Sequence, residues 1–153
     1  EAAFPGAVEA AHLYRAQAAE AGIAIRVTEA PAEGYWQDVW PTAPWRATAW
    51  AGRPTEDWIL SAATAPGAPW NETGWINAGY ARLLEAARAE LDSTRRGEIY
   101  AEMQRVLRDE GGLLLPVHAP FNGAASKRLA HSGRIGNLMA LDSARIAERW
   151  WMA

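Results

Sequence analysis

Two adjacent carboxylates, Glu56 and Asp57, stand in the stretch TAWAGRPTEDW at residues 48–58. A carboxylate pair can divide acid and base work when its surroundings push the two pKa values apart. The same pair follows Thr55 and precedes the apolar run WILSAA, where acidic residues complement the unpaired N–H groups of a helix start. His12, His118 and His131 lie far apart and share no metal-ligand spacing with acidic partners. His118 ends an apolar run and reads as structural. No serine sits in a G-x-S-x-G turn, and neither a P-loop nor a G-x-G-x-x-G occurs. Cysteine is absent, which removes thiolate metal sites and a cysteine nucleophile. No catalytic residue, metal ligand or cofactor is therefore assigned, and the chain is not read as an enzyme.

Binding chemistry is better represented. The chain has nine tryptophans, and Trp36, Trp40, Trp45, Trp50, Trp58, Trp70 and Trp75 crowd one window of it. An indole is costly to bury whole because its N–H needs a partner, so such clusters line clefts or interfaces as well as building aromatic cores. Flat indole faces suit peptide side chains, sugars or cationic groups. Arg53 stands among them with a planar fork that suits a carboxylate, or that pairs with Glu56 or Asp57 instead.

Length and composition set the frame. The 153 residues, half of them apolar, are enough for a globular unit with a core. The formal charge is −3, and the 15 basic residues, all arginine except Lys127, form no stripe or run beyond Arg95-Arg96. A nucleic-acid binder needs a basic face, so nucleic acid is not expected as a partner. No apolar run reaches the roughly 18 residues of a membrane span. The opening at Glu1 rather than at methionine reads as a mature or shortened N-terminus, so the lack of a leader there is uninformative.

The positioning elements follow from periodicity. Residues 8–21 are rich in helix formers and stop at Gly22, after which Ile23, Ile25 and Val27 alternate as a strand. EGYWQDVW predicts a short helix closed by Pro41 and Pro44, and WRATAWA predicts a second strand. Helix, strand, helix, strand is the grammar of an α/β domain, with parallel pairing favoured by the intervening helix. A Pro/Gly-rich connection follows, holding only a short helical piece. Ile76, Tyr80, Leu83, Leu84, Ala87 and Leu91 then recur at helical spacing, as do Ile99, Met103, Val106 and Leu107. Asp92 or Ser93 is placed to cap the second of these helices and Gly111-Gly112 to end it, which makes a packed helical hairpin. From residue 113 the pattern turns to short strands, LLLPVH, FNGAAS and RIGNLM, with a terminal RIAERWW. Some 40 residues of that kind cannot bury much alone, so they must pack either on the first 110 residues or on a part of the protein outside this chain.

Residues 77–121, NAGYARLLEAARAELDSTRRGEIYAEMQRVLRDEGGLLLPVHAPF, carry a resemblance. Tyr80, Leu83-Leu84, Ala87, Glu90, Asp92, Arg96, Tyr100, Gln104, Leu107, Gly111-Gly112 and Leu114-Leu115-Pro116 resemble the C-terminal hairpin and following strand of extracellular solute-binding family 5. These are the periplasmic peptide, nickel and oligosaccharide receptors of ABC importers. AQAAEAGIAIRV and ATAWAG resemble the family's earlier helix-to-strand step and its next strand.

The resemblance implies the C-terminal lobe of a two-lobed, type II-like binding protein. Residues 1–112 would form the second-lobe α/β segment, and residues 113–153 a crossover strand and strands returning toward a first lobe outside this chain. It implies a periplasmic location, a small-molecule or oligopeptide ligand, and ABC permease subunits in the inner membrane as partners. Edges that have lost their lobe would also favour a dimer. In peptide-binding members of the family, the strand equivalent to TAWAG leads to a Gly-Trp-x-x-Asp turn whose aspartate holds the peptide ammonium. Here Trp50 matches, Arg53 stands where the aspartate would, and Glu56 falls on a later acidic position. Asn71 and Trp75 match polar and aromatic positions of a neighbouring lip, PWNETGW, which also contains Trp70. The expected ligand-binding residues are thus Trp50, Arg53, Glu56, Trp70, Asn71 and Trp75. The competing expectation is a free-standing carbohydrate-binding module that stacks sugars on tryptophan.

Overall fold

The computed structural model describes residues 2–153. Its contacts divide the chain at Trp50/Ala51 into two compact units, so the change of pattern at residue 113 lies inside the second unit.

In the first unit, α1 (Ala7–Glu20) is built of alanine, glutamate and other good helix formers and buries only Ala7 and Ala18. It stops at Gly22, whose φ of 78° is open to glycine at little cost. The predicted strand at 23–27 does not form. Ile25 and Val27 are half-buried between exposed neighbours, so the alternation is present, but no ladder pairs it. YWQDV folds as a π-helical turn, Tyr35–Val39, rather than an ordinary α-helix. The predicted strand at 45–51 is also unpaired extended chain, held in part by the Tyr35 hydroxyl donating to the Ala47 carbonyl at 2.5 Å. A strand exists through its neighbour's hydrogen bonds, and periodicity cannot supply the neighbour.

The second unit is organised by three capped helices. Thr55, Asn77 and Asp92 cap α2 (Glu56–Ala63), α3 (Ala78–Ala89) and α4 (Ser93–Glu110), accepting from the backbone N–H of Trp58, Tyr80 and Arg95. Each such cap contributes about 1 kcal/mol. α4 ends at Gly111, where a Cβ would collide with the Leu107 carbonyl and side chain. The helices α3 and α4 pack as the expected hairpin, and α2 lies against α3. Between them sits the core of Leu60, Tyr80, Leu84, Ala87, Tyr100 and Met103, with Trp75, Ile59 and Val106 packed around it. Tyr80 and Met103 are fully buried, and each such side chain contributes about 1.5–3 kcal/mol through removal from water.

Beyond Gly112 the expected strands at 113–118, 121–126 and 134–139 are absent; these residues are extended or bent and unpaired. The ladder among the described residues is instead an antiparallel pair, β1 (Leu129–His131) with β2 (Trp150–Met152), in register Leu129↔Met152 and His131↔Trp150. A left-handed turn at Leu141–Ala144 and one helical turn, Ile146–Arg149, bring β2 back to β1. The chain is therefore mixed helix and sheet, α/β in the coarse sense. The parallel sheet expected from the helix–strand alternation is replaced by a two-stranded antiparallel one. No helix of the described residues is long and apolar enough to cross a membrane.

Candidate functional site

The opening turn of α2 positions the first candidates. Thr55 closes the helix start, which leaves Glu56 exposed in the first turn and directs Asp57 toward α3. There Arg88 Nε donates to Asp57 Oδ1 at 2.6 Å, and Arg88 Nη2 donates to Ser61 Oγ at 2.6 Å. The hydrogen bond to Asp57 is the main cause that raises the Arg88 pKa above its ordinary value. Asp57 is thus engaged in holding α2 to α3.

Arg53 folds back on its own turn. Its Nη1 donates to the carbonyls of Ala51 at 2.9 Å and Gly52 at 3.3 Å, and its guanidinium carbon lies 6.0 Å from the ring centroid of Trp58. Those contacts hold the fork beside an exposed indole. Trp58 belongs to this corner although it is not among the expected ligand-binding residues. Its place three residues after the capping Thr55, and five after Arg53, is the signal that puts it on the same corner.

The PWNETGW lip is ordered by its own polar side chains. Asn71 Nδ2 donates to the carbonyls of Ala65 at 3.2 Å and Trp75 at 2.9 Å, and Asn71 Oδ1 accepts from the Thr73 hydroxyl at 3.0 Å. Asn71 therefore shapes the loop. Trp75 packs edge-on against Tyr80, centroids 5.0 Å apart, and joins the rim of the core. Trp70 is exposed. Trp50 is half-buried and closes the first unit, whereas Arg53, Glu56, Trp70, Asn71 and Trp75 belong to the second.

In the first unit the aromatics cluster around the π-helical turn. Tyr35 meets Trp36 edge-on at 5.4 Å, Trp36 lies 6.2 Å from Trp40, and Arg46 sits 5.5 Å over the Trp40 ring. Tyr14 and Trp45 form a second edge-on pair at 5.8 Å. The four-residue spacing of Trp36 and Trp40 was the visible sign that these two rings share a face.

Two further polar assemblies lie in the second unit. Asp142 is buried and accepts from the Gly136 amide, from Arg149 Nη1 at 2.8 Å and from Trp150 Nε1 at 3.1 Å. These bonds, the Gly136 amide foremost, hold its carboxyl below the usual carboxylate range. An open groove of about 520 Å³ runs between α3 and α4, lined among others by Arg82, Leu83, Val106 and Glu110. Asn77 spans to Glu110 at 2.8 Å at one end of it.

His12 pairs with Glu29 at 3.2 Å, His131 stacks near Trp150 at 4.8 Å, and His118 is exposed on the extended segment rather than part of a strand. Among the described residues no group of three His, Cys, Asp or Glu side chains gathers as a metal site. The arrangement offers exposed flat rings and a guanidinium, which suit non-covalent capture.

No family model, no curated protein and no solved structure matches this chain.

Proposed function

We propose that the chain is the C-terminal part of the substrate-binding component of an ABC importer, forming most of the second lobe of a periplasmic solute receptor. In that reading a small solute or peptide is captured between lobes and delivered to permease subunits, with no covalent chemistry. The observation that carries it is the segment after α4. Leu114, Leu115, Val117 and Phe121 are exposed on extended chain with no ladder, as expected of a strand whose sheet lies in another lobe. The capped hairpin of α3 and α4 supports the same reading.

The corner of Arg53 and Trp58 then serves as one lip of the cleft. A guanidinium cannot anchor an ammonium group, while it pairs well with a carboxylate. The ligand is accordingly one that presents no free ammonium at this lip, either because its N-terminus is blocked or because it enters in the other orientation. Ligand binding shifts the open-to-closed balance by its preference for the closed form. Half a cleft gives little of that preference, so the 153 residues alone are expected to bind weakly. The test is thermal denaturation of the longer parent protein with one tripeptide, free and N-acetylated. Stabilisation by the acetylated form supports the proposal; stabilisation by the free form alone contradicts it.

A second reading draws on the exposure of Trp36, Trp45, Trp58 and Trp70. Such rings are stacking platforms, and a carbohydrate-binding module would use them without any partner lobe. It requires saturable sugar binding by these 153 residues alone, which calorimetry with oligosaccharides decides.

A further inference from the structure

The asparagines are Asn71, Asn77, Asn122 and Asn137, and Asn122 alone precedes a glycine. The structure separates them further. Both ends of the Asn71 amide are bonded within its loop, and Asn77 both caps α3 and donates to Glu110. Asn137 is followed by Leu138, whose backbone N–H is engaged by the Ser143 hydroxyl at 3.1 Å. Asn122 and Gly123 are exposed on the extended segment, and neither has a hydrogen bond among the described residues. A Cβ built on Gly123 meets nothing within 4 Å.

We infer that Asn122 is a site of spontaneous deamidation, a modification encoded by the chain and needing no enzyme. The Gly123 amide nitrogen, deprotonated by base from solvent, attacks Cγ of Asn122. The N–Cγ bond forms, the Cγ–Nδ2 bond breaks, and the departing NH2 group takes up one proton from water and leaves as ammonia. Water then opens the five-membered imide. Attack at Cγ breaks the new N–Cγ bond and gives aspartate, whereas attack at the Asn122 backbone carbonyl breaks its bond to the Gly123 nitrogen and gives isoaspartate, with the chain running through the side chain. The net exchange is one water taken up and one ammonia released, with no change in oxidation state.

Glycine promotes the step because nothing on its Cα obstructs the nitrogen's approach, and because its backbone freely adopts the geometry of attack. Attack also requires the chain around Asn122 to turn from its extended form. No ladder or hydrogen bond opposes that turn here. Either product places a negative charge beside the exposed ring of Phe121. The inference stands on the exposure and freedom of residues 122–123 and holds whatever the chain binds.

The test is peptide mapping by mass spectrometry after incubating the 153-residue protein in mildly alkaline buffer. Asn122 is expected to convert ahead of Asn71, Asn77 and Asn137, with isoaspartate among the products, and faster as pH rises. Its rate in the folded protein should lie within about twofold of the rate in urea, since the fold does not protect it. Gly123→Ala, for which the structure has room, should slow conversion on the order of tenfold while leaving the thermal midpoint unchanged. Conversion of another asparagine first, protection of Asn122 by folding, or indifference to Gly123→Ala would each overturn the assignment.

Discussion

The hydroxyls of Thr64 and Tyr80 lie 2.5 Å apart in the core of the second unit, and the direction of the proton between them is fixed by a third group. Thr64 Oγ1 donates its single proton to the Leu60 carbonyl at 2.7 Å, so Tyr80 is the donor and Thr64 the acceptor. The pair joins the C-terminal end of α2 to the start of α3. It also lets a fully buried tyrosine keep its hydroxyl satisfied.

Thr64→Val leaves the buried phenol without an acceptor, at a cost of about 1–3 kcal/mol. Tyr80→Phe removes the donor while Thr64 keeps its bond to Leu60, and should cost about 1 kcal/mol. The double variant should be closer to Tyr80→Phe than to the sum of the two. Urea denaturation of the three variants measures the cycle, and additivity would refute the pairing.

Burial raises the Tyr80 pKa, because the phenolate would lose more hydration than the neutral phenol does. A group with a raised folded pKa contributes stability that is complete below its unfolded pKa. That contribution is lost as pH climbs from there through the folded value. Stability should therefore fall above about pH 10, where an exposed tyrosine ionises. Tyr80→Phe should show a shallower fall in its denaturation midpoint over the same range.

Asp142 works in the opposite sense. Its pKa is depressed by the Gly136 amide, then by Trp150 and Arg149, so its contribution is present above the unfolded carboxylate value and lost as pH falls through the folded one. Below about pH 4 the junction of β1 and β2 should loosen before the helical hairpin does. Exchange of the β1 and β2 amides, followed against those of α4, measures the order. Asp142→Asn should loosen the same junction at neutral pH.

Arg88 and Asp57 make a well-directed ion pair, yet their side chains are 51% and 37% exposed. Water and salt screen such a pair, so Arg88→Ala should cost no more than about 1 kcal/mol, and less in concentrated salt. By contrast Met103→Ala opens a hole in the core and should cost about 2–5 kcal/mol. Leu91→Ala, at a side chain 92% exposed, should change stability by less than about 0.5 kcal/mol. Chemical denaturation of the three variants side by side checks the ranking.

What was legible in the sequence is what depends on neighbours along the chain. Thr55, Asp92 and Gly111 mark helix ends by local chemistry, and Tyr80, Leu84, Ala87 and Met103 mark a buried face by their spacing. The strands failed for the complementary reason. Ile23, Ile25 and Val27 alternate as a strand should, but pairing depends on a second segment whose position no local pattern encodes. Site residues divided along the same line. Asn71 and Trp75 have the types of a binding lip, and only three-dimensional contacts reveal that one braces its loop and the other packs on Tyr80.

As a proposed second lobe of a solute receptor, the chain should receive at its Arg53 lip a ligand without a free ammonium group. Thermal denaturation of the parent protein with an N-acetylated tripeptide tests it most directly. Ligand at a hundred times its Kd should stabilise the closed receptor by about 2.7 kcal/mol, and Arg53→Ala should abolish the rise in Tm. A rise with the free tripeptide alone, undiminished by Arg53→Ala, would contradict it.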